Sequence, residues 1–377
     1  MQEQKINVQN SVLDVKNGIP EDERIFYGPD SGILRVDKIL SEEAKRLKEK
    51  SEGNTWFTKE VDYKGDRNKF QTLNEDSQRA FKLNIAYQTL MDSGAAGGIN
   101  KVIVENLTSS IWKLLYGRIA VEEMIHSESY SYGLNEVFGS EATETIDLVY
   151  TDTMIQDRME KENEAFSKLL VKENITPKNI IDLILAVYFL ESIKFPFSFL
   201  VTFTINKMNN DAIPGFTRTL RLIANDELNV HVPTGLAIVH ALRNDENFSE
   251  VFKTDYFETK TIEYCKFVVE QELKWAKYLL DGKNVPGLSY ATAEYFIKYQ
   301  ANYRLESLGI NIPDYKDCAE KNDTIIWFDN YRNIDNLNTA IQESTAINYT
   351  RGLKADWPEV KKDKKEDNSL PDTIFWE

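Results

Sequence analysis

The chain has 377 residues, an apolar share of 42% and a formal net charge of −16. Its apolar share supports a sizeable core and excludes disorder for the bulk, and its length allows one large domain or two average ones. So acidic a chain offers little to nucleic acid phosphates or to an anionic membrane surface.

Residues 1–40 are turn-rich, punctuated by Asn17-Gly18, Gly28-Pro29 and Ser31-Gly32, and read as an N-terminal extension. Met1 to Ile19 has no apolar leader, no run is expected to span a membrane, and Cys265 and Cys318 make no disulfide framework. The expected setting is the cytosol. A first helix is predicted from its cap Ser41, through Glu42 and Glu43, to about residue 52. Asn54-Thr55-Trp56-Phe57 follows. A second helix is predicted over about 74–93, with Phe81, Ile85, Leu90 and Met91 as its apolar stripe and Asp92 closing it. Gly94-Ala95-Ala96-Gly97-Gly98 then reads as a loop, and no Lys-Ser/Thr follows to make it a phosphate cradle.

The next predicted helix, about 101–138, contains Glu122-Glu123-Met124-Ile125-His126-Ser127-Glu128-Ser129-Tyr130. Helical spacing puts Glu123, His126 and Tyr130 on one side. A carboxylate and an imidazole so spaced can bind one metal ion from a single helix, with the phenol beside it. That grouping points to redox chemistry rather than hydrolysis.

Further helices are predicted over about 144–171, 180–207, 217–242, 257–280 and 291–308. The 180–207 segment has only Asp182, Glu191, Lys194 and Lys207 as charges, so it belongs in the middle of the protein. With little strand alternation and no solenoid repeat, the fold class is all-α. At the end, the charge run Lys361-Lys362-Asp363-Lys364-Lys365-Glu366-Asp367 gives way to Ile374-Phe375-Trp376-Glu377. That sticky terminus either folds back or docks in a partner's groove.

His126, His231 and His240 are all the histidines there are. Asp92, Glu123, Glu191 and Glu227 sit in apolar helical surroundings, where an unpaired carboxylate is costly. Glu227 is followed four residues later by His231, again on one face. Four acids and two imidazoles from four helices suit a two-metal site of the ferritin-like kind, and oxygen-rich ligands favour Fe or Mn over structural zinc. The plainer alternative for Glu191 is an ion pair with Lys194. His240, near a helix end, is given no role.

From about Ile25 onward these motifs resemble the small, radical-generating subunit of class I ribonucleotide reductase. Tyr87-Gln88-Thr89-Leu90-Met91-Asp92 with Glu123-x-x-His126-Ser-x-Ser-Tyr130 looks like the family's first metal cluster. Glu191-Ser192-Ile193-Lys194-Phe195 with Arg221-Leu222-Ile223-Ala224-Asn225-Asp226-Glu227 looks like the second. The resemblance implies a ferritin-like helical bundle over residues 41–340 with additional helices, and a flexible tail over 341–377. It implies two metal ions per chain, di-iron favoured and manganese possible. Asp92, Glu123 and His126 would bind one, Glu191, Glu227 and His231 the other, with Glu123 and Glu227 bridging.

By the same resemblance Tyr130 carries a stable radical behind an apolar wall of Phe195, Phe199 and Ile223. Trp56, bonded to Asp226 and through it to His126, would relay an electron. Tyr349, with Glu343 before it and Trp357 as fallback, would pass the radical to a large catalytic subunit. That subunit makes deoxyribonucleotides for DNA replication, and Ile374-Phe375-Trp376-Glu377 would anchor the tail on it. Family members are homodimers. A ferritin-like Mn/Fe ligand-binding oxidase would share the ligands but would not need Tyr349 or the sticky terminus, and a non-catalytic iron-storage protein would have the bundle but no use for Trp56 or a persistent phenoxyl.

One departure stands out. The family spaces its second pair Glu-x-x-His, whereas Glu227-Leu228-Asn229-Val230-His231 has one residue more. A regular helix would turn the imidazole away by about 100°. A single wide π turn near Asn229 absorbs the insertion, and Pro233, which lacks the N–H for the Asn229 carbonyl, favours it.

Overall fold

The computed structural model describes residues 13–16, 24–35, 37 and 41–334. Glu343, Tyr349, Trp357 and the terminal Ile374-Phe375-Trp376-Glu377 lie outside the described residues. Among the described residues the only β-type pairing is one bridge between Phe26 and Leu107, and the fold is all-α.

Helices of ten residues or more are α1 (Glu42–Asn54), α2 (Glu75–Gly98), α3 (Ser110–Phe138) and α4 (Glu160–Leu169). Then come α5 (Pro177–Phe189), α6 (Phe195–Met208), α7 (Pro214–Asp226) and α8 (Val232–Leu242). The last are α9 (Tyr256–Leu280), α10 (Tyr290–Ser307) and α11 (Asp323–Arg332). Their starts follow capping chemistry. Ser41 accepts from the Ala44 N–H, Asn74 from Ser77 and Thr176 from Asn179 with Pro177 in the first turn. α2 packs along α3, α6 packs on α2 and α7, and α7 reaches back to α3, closing a ferritin-like bundle.

Two of these helices are joined to their successors by wide turns. α5 runs through a π turn, Leu190–Lys194, into α6, and α7 runs through a second, Glu227–His231, into α8. The insertion between Glu227 and His231 is therefore absorbed as its spacing required. Proline follows both turns: Pro196 has no N–H for the carbonyl of Ser192, nor Pro233 for that of Asn229. Arg304 donates its Nε–H to the freed Ser192 oxygen at 3.4 Å.

Several boundaries differ from those predicted. Asp92 does not close its helix, and Gly94 to Gly98 is not a loop, since α2 runs through Gly98 into a further π segment, Ile99–Val104. These glycines permit close packing rather than a turn. A Cβ on Gly98 would stand 2.4 Å from the Phe166 ring, and one on Gly94 2.4 Å from Met159 Cε. The segment expected as one helix from 101 breaks before Ser110, where Leu107 bridges to Phe26. The predicted 144–171 helix is four helices, of which only α4 reaches ten residues.

The continuous helix Pro177–Met208, 32 residues, is long and apolar enough to cross a membrane, contrary to the expectation that no run is. Its most apolar window is 94% buried by the rest of the protein, which is the central position predicted for it.

Candidate metal centre

Four helices aim acids at one place. Asp92 comes from α2, Glu123 and His126 from α3, Glu191 from the first π turn, and Glu227 from the start of the second with His231 at its end. Asp92, Glu123, His126 and Glu227 are 0% exposed, Glu191 1% and His231 4%. One ligand atom each from Asp92, Glu123 and His126 lie within 4.8 Å of one another, as do those of Glu123, Glu191, Glu227 and His231. Glu123 belongs to both groups. Glu227 also reaches both imidazoles, at 3.0 Å from His126 Nδ1 and 2.7 Å from His231 Nδ1.

Whether these residues suit metal ions can be tested on their unmet polarity. Both carboxylate oxygens of Asp92, Glu123, Glu191 and Glu227, and the Nδ1 of both histidines, are buried without a hydrogen bond. Among the described ion pairs no Lys or Arg meets any of these four acids. Lys194, the alternative partner of Glu191, pairs instead with Glu162 at 2.7 Å. Four buried acids with only two imidazoles among them make a donor set that metal cations would satisfy, and carboxylates with one imidazole per group suit iron or manganese. The residues fit a pair of such ions.

The side chains by themselves crowd protons into the site. Burial, then the neighbouring Glu123, pushes Asp92 well above the usual carboxylate range. Burial, then Glu227 and Glu123, does the same to Glu191. Burial works to raise Glu227 too, but His231, Glu191 and His126 together bring it below the usual range. Burial opposes the charge on both histidines. The close carboxylates of Asp226, Glu123 and Glu227 raise His126 despite it, and Glu227, Glu122 and Glu123 raise His231.

Each imidazole is held from behind by a carboxylate. Asp226 Oδ2 lies 3.2 Å from His126 Nε2 and accepts the Trp56 indole N–H at 2.8 Å. Trp56, 4% exposed, stacks on His126 with centroids 6.0 Å apart. On the other side, Glu122 Oε2 lies 3.0 Å from His231 Nε2. The sequence motif gave Glu122 no role. Its place beside Glu123 hid it, because the signal is a contact with a residue more than a hundred positions away.

Tyr130 is 0% exposed, and its hydroxyl neighbours Asp92 without a hydrogen bond of full geometry. Burial, then Asp92, raises its pKa well above the phenol range, so the phenol keeps its proton. Phe195, Phe199 and Ile223 are all 0% exposed, and the two phenylalanine rings stack at 5.9 Å. His240 is exposed on α8.

A second buried charge cluster was not foreseen. Arg158 forms a two-pronged bridge to Glu272, with Nε–Oε1 2.9 Å and Nη2–Oε2 2.5 Å. Lys194 also donates to the Arg158 carbonyl at 2.6 Å, and the Arg158 guanidinium lies 3.1 Å from the Tyr87 ring centroid.

The comparisons with known proteins agree with this geometry. The family model described as ribonucleotide reductase, small chain, matches residues 35–322. A ribonucleoside-diphosphate reductase subunit beta of Buchnera aphidicola is 27% identical, covering 88% of this chain and 92% of that one. Ribonucleoside-diphosphate reductase 1 subunit beta of Salmonella typhimurium is 26% identical over the same shares. Among solved structures, the R2 subunit from Clostridium botulinum superposes with a TM-score of 0.78 at 22% identity, covering 86% of this chain and 98% of that one. A dimanganese(II) NrdF from Streptococcus sanguinis gives 0.63 at 19%, covering 78% and 98%. These structures bear on the fold alone. The family match spans well over half of the sequence, and the chain belongs to the ribonucleotide reductase small-chain family, the beta component of an oxidoreductase.

Proposed function

We propose that the chain is the radical-supplying subunit of its reductase, holding two metal ions per chain and a radical on Tyr130. The observation that carries this reading is the pair of ligand groups that share Glu123, each with one histidine, beside a buried phenol. Iron is favoured and manganese possible. The Streptococcus sanguinis relative in fold is a dimanganese protein by its description, and the carboxylate-rich donor set accepts either metal. The metal pair, once bound and oxidised by O₂ (iron) or a superoxide-type oxidant (manganese), would supply the one-electron oxidising power for Tyr130.

The chain's own residues do the rest. Asp92 stands next to the Tyr130 hydroxyl, where it can take the phenolic proton as the electron leaves. Phe195, Phe199 and Ile223 form part of the dry core that would shield the radical from water and reductants. Trp56 offers the way out: its indole N–H already donates to Asp226, so losing an electron can be matched by a proton shift of one hydrogen bond. Onward transfer would use Tyr349 in the tail of residues 341–377, docked through Ile374-Phe375-Trp376-Glu377 on a large catalytic subunit. We read the protein as a cytosolic homodimer whose 41–340 domain carries the centre.

Electron paramagnetic resonance after anaerobic metal loading and exposure to an oxidant tests the proposal. The expected result is a tyrosyl signal in the wild type and none in Tyr130→Phe. No tyrosyl signal with either iron or manganese would refute it, and would favour a ligand-binding oxidase or a storage role.

A further inference from the structure

We infer that Glu122 is a positioning residue for the second metal, acting through His231. The inference rests on the dimetal reading above and adds a residue to it.

His231 arrives at the site by an unusual route. It ends a π turn, and the extra residue in that turn leaves its ring direction to side-chain contacts rather than to helical spacing. Its Nδ1 faces the ligand oxygens, 2.7 Å from Glu227, 3.1 Å from Glu123 and 4.0 Å from Glu191. A neutral imidazole that offers a lone pair at Nδ1 must carry its proton on Nε2. That proton meets Glu122 Oε2 at 3.0 Å. The carboxylate therefore selects the tautomer and fixes the ring plane.

Glu122 is itself held. Ser51 of α1, 0% exposed, donates Oγ–H to Glu122 Oε1 at 2.6 Å. Arg118 donates Nε–H to Ser51 Oγ at 2.7 Å, and its Nη2 lies 3.6 Å from Glu122 Oε1. The Arg118 Nη2 also bonds the Ser51 carbonyl at 3.3 Å and Thr55 Oγ1 at 2.9 Å. α1 thus serves as a brace for the second histidine, as Asp226 braces the first. Partners of this kind behind a ligating histidine are worth about 10- to 100-fold in metal affinity.

The test is anaerobic Mn²⁺ titration of the full-length chain, with bound metal counted and paramagnetic resonance separating lone from exchange-coupled ions. Wild type should take two Mn²⁺ per chain. Glu122→Leu should lose about 10- to 100-fold at the second site, with the first unchanged. Glu122→Gln, which keeps an acceptor for Nε2–H, should stay within a few-fold of wild type. Asp226→Leu should give the mirror pattern and weaken the first site. Should Glu122→Leu fail to fold, Ser51→Ala must show the same second-site selectivity on a smaller scale. Unchanged affinities in Glu122→Leu, equal losses at both sites, or a Gln variant as poor as Leu would each overturn the inference. A wild type that takes fewer than two ions would overturn the dimetal reading as well, so the two failures are distinguishable.

Discussion

The molecule buries two charge clusters side by side, and they are built on opposite rules. Arg158, Lys194, Glu162 and Glu272 are two cations and two anions, each 1% exposed or less and paired at 2.5 to 2.7 Å. Asp92, Glu123, Glu191 and Glu227 are equally buried, but only two histidines stand among them. In the matched cluster each acid meets a Lys or Arg. In the unmatched one, among the described ion pairs, the acids meet histidine nitrogens and no Lys or Arg. Burial alone does not separate a ligand set from a structural ion network; the charge balance does.

That contrast can be attacked first at the matched cluster. Glu272→Leu strands a buried guanidinium and should cost about 3–5 kcal/mol in denaturant unfolding, with or without added metal. Replacing both Glu162 and Lys194 by apolar residues should cost far less. A Glu272→Leu protein as stable as wild type would erase the distinction.

Comparable to it, site for site, is the effect at the unmatched cluster. Saturating Mn²⁺ should stabilise the wild type by about 4 kcal/mol per site at a thousandfold excess over Kd, read as a rise in thermal midpoint. Glu191→Ala should lose much of that rise. In chelator it should unfold no earlier than wild type, because one of the crowded carboxylates is gone. Earlier unfolding in chelator would mean that Glu191 has an unnoticed partner.

The smallest effect is on pH. Asp92 and Glu191 have folded pKa values above their unfolded ones, and so do His126 and His231. Across the window between those values the native state binds more protons than the unfolded chain, so stability falls as pH rises. Glu227, shifted down, opposes this in part. In chelator the thermal midpoint should therefore decline from mildly acidic to alkaline pH. With Mn²⁺ the decline should shrink or reverse over the range where protons and metal compete for the same oxygens. Equal slopes with and without metal would argue that the ions bind elsewhere.

Part of the carboxylate–histidine cluster was legible because Glu123 and His126 obey helical spacing. Glu227 and His231 needed the π turn to share a face. The π turn was legible from an extra residue and Pro233. What stayed hidden depends on distant contacts. Nothing near Glu122 announces His231, and nothing near Lys194 announces Glu162. The run Gly94 to Gly98 carries every local sign of a turn, yet tertiary packing overrides it because Phe166 and Met159 need the room.

The long apolar helix Pro177–Met208 has one more consequence, and it concerns biosynthesis. Its α5 half is covered by α8 and α9, and its α6 half by α7 and α10, all later in the chain. Of the long helices packed against it, only α2 and α4 precede it in the chain. Until the later ones are made, the most water-averse segment of the protein is half-dressed, and a nascent chain in that state is prone to aggregate. The helix that brings Glu191 to the carboxylate cluster is thus the segment whose burial waits longest on the rest of the chain.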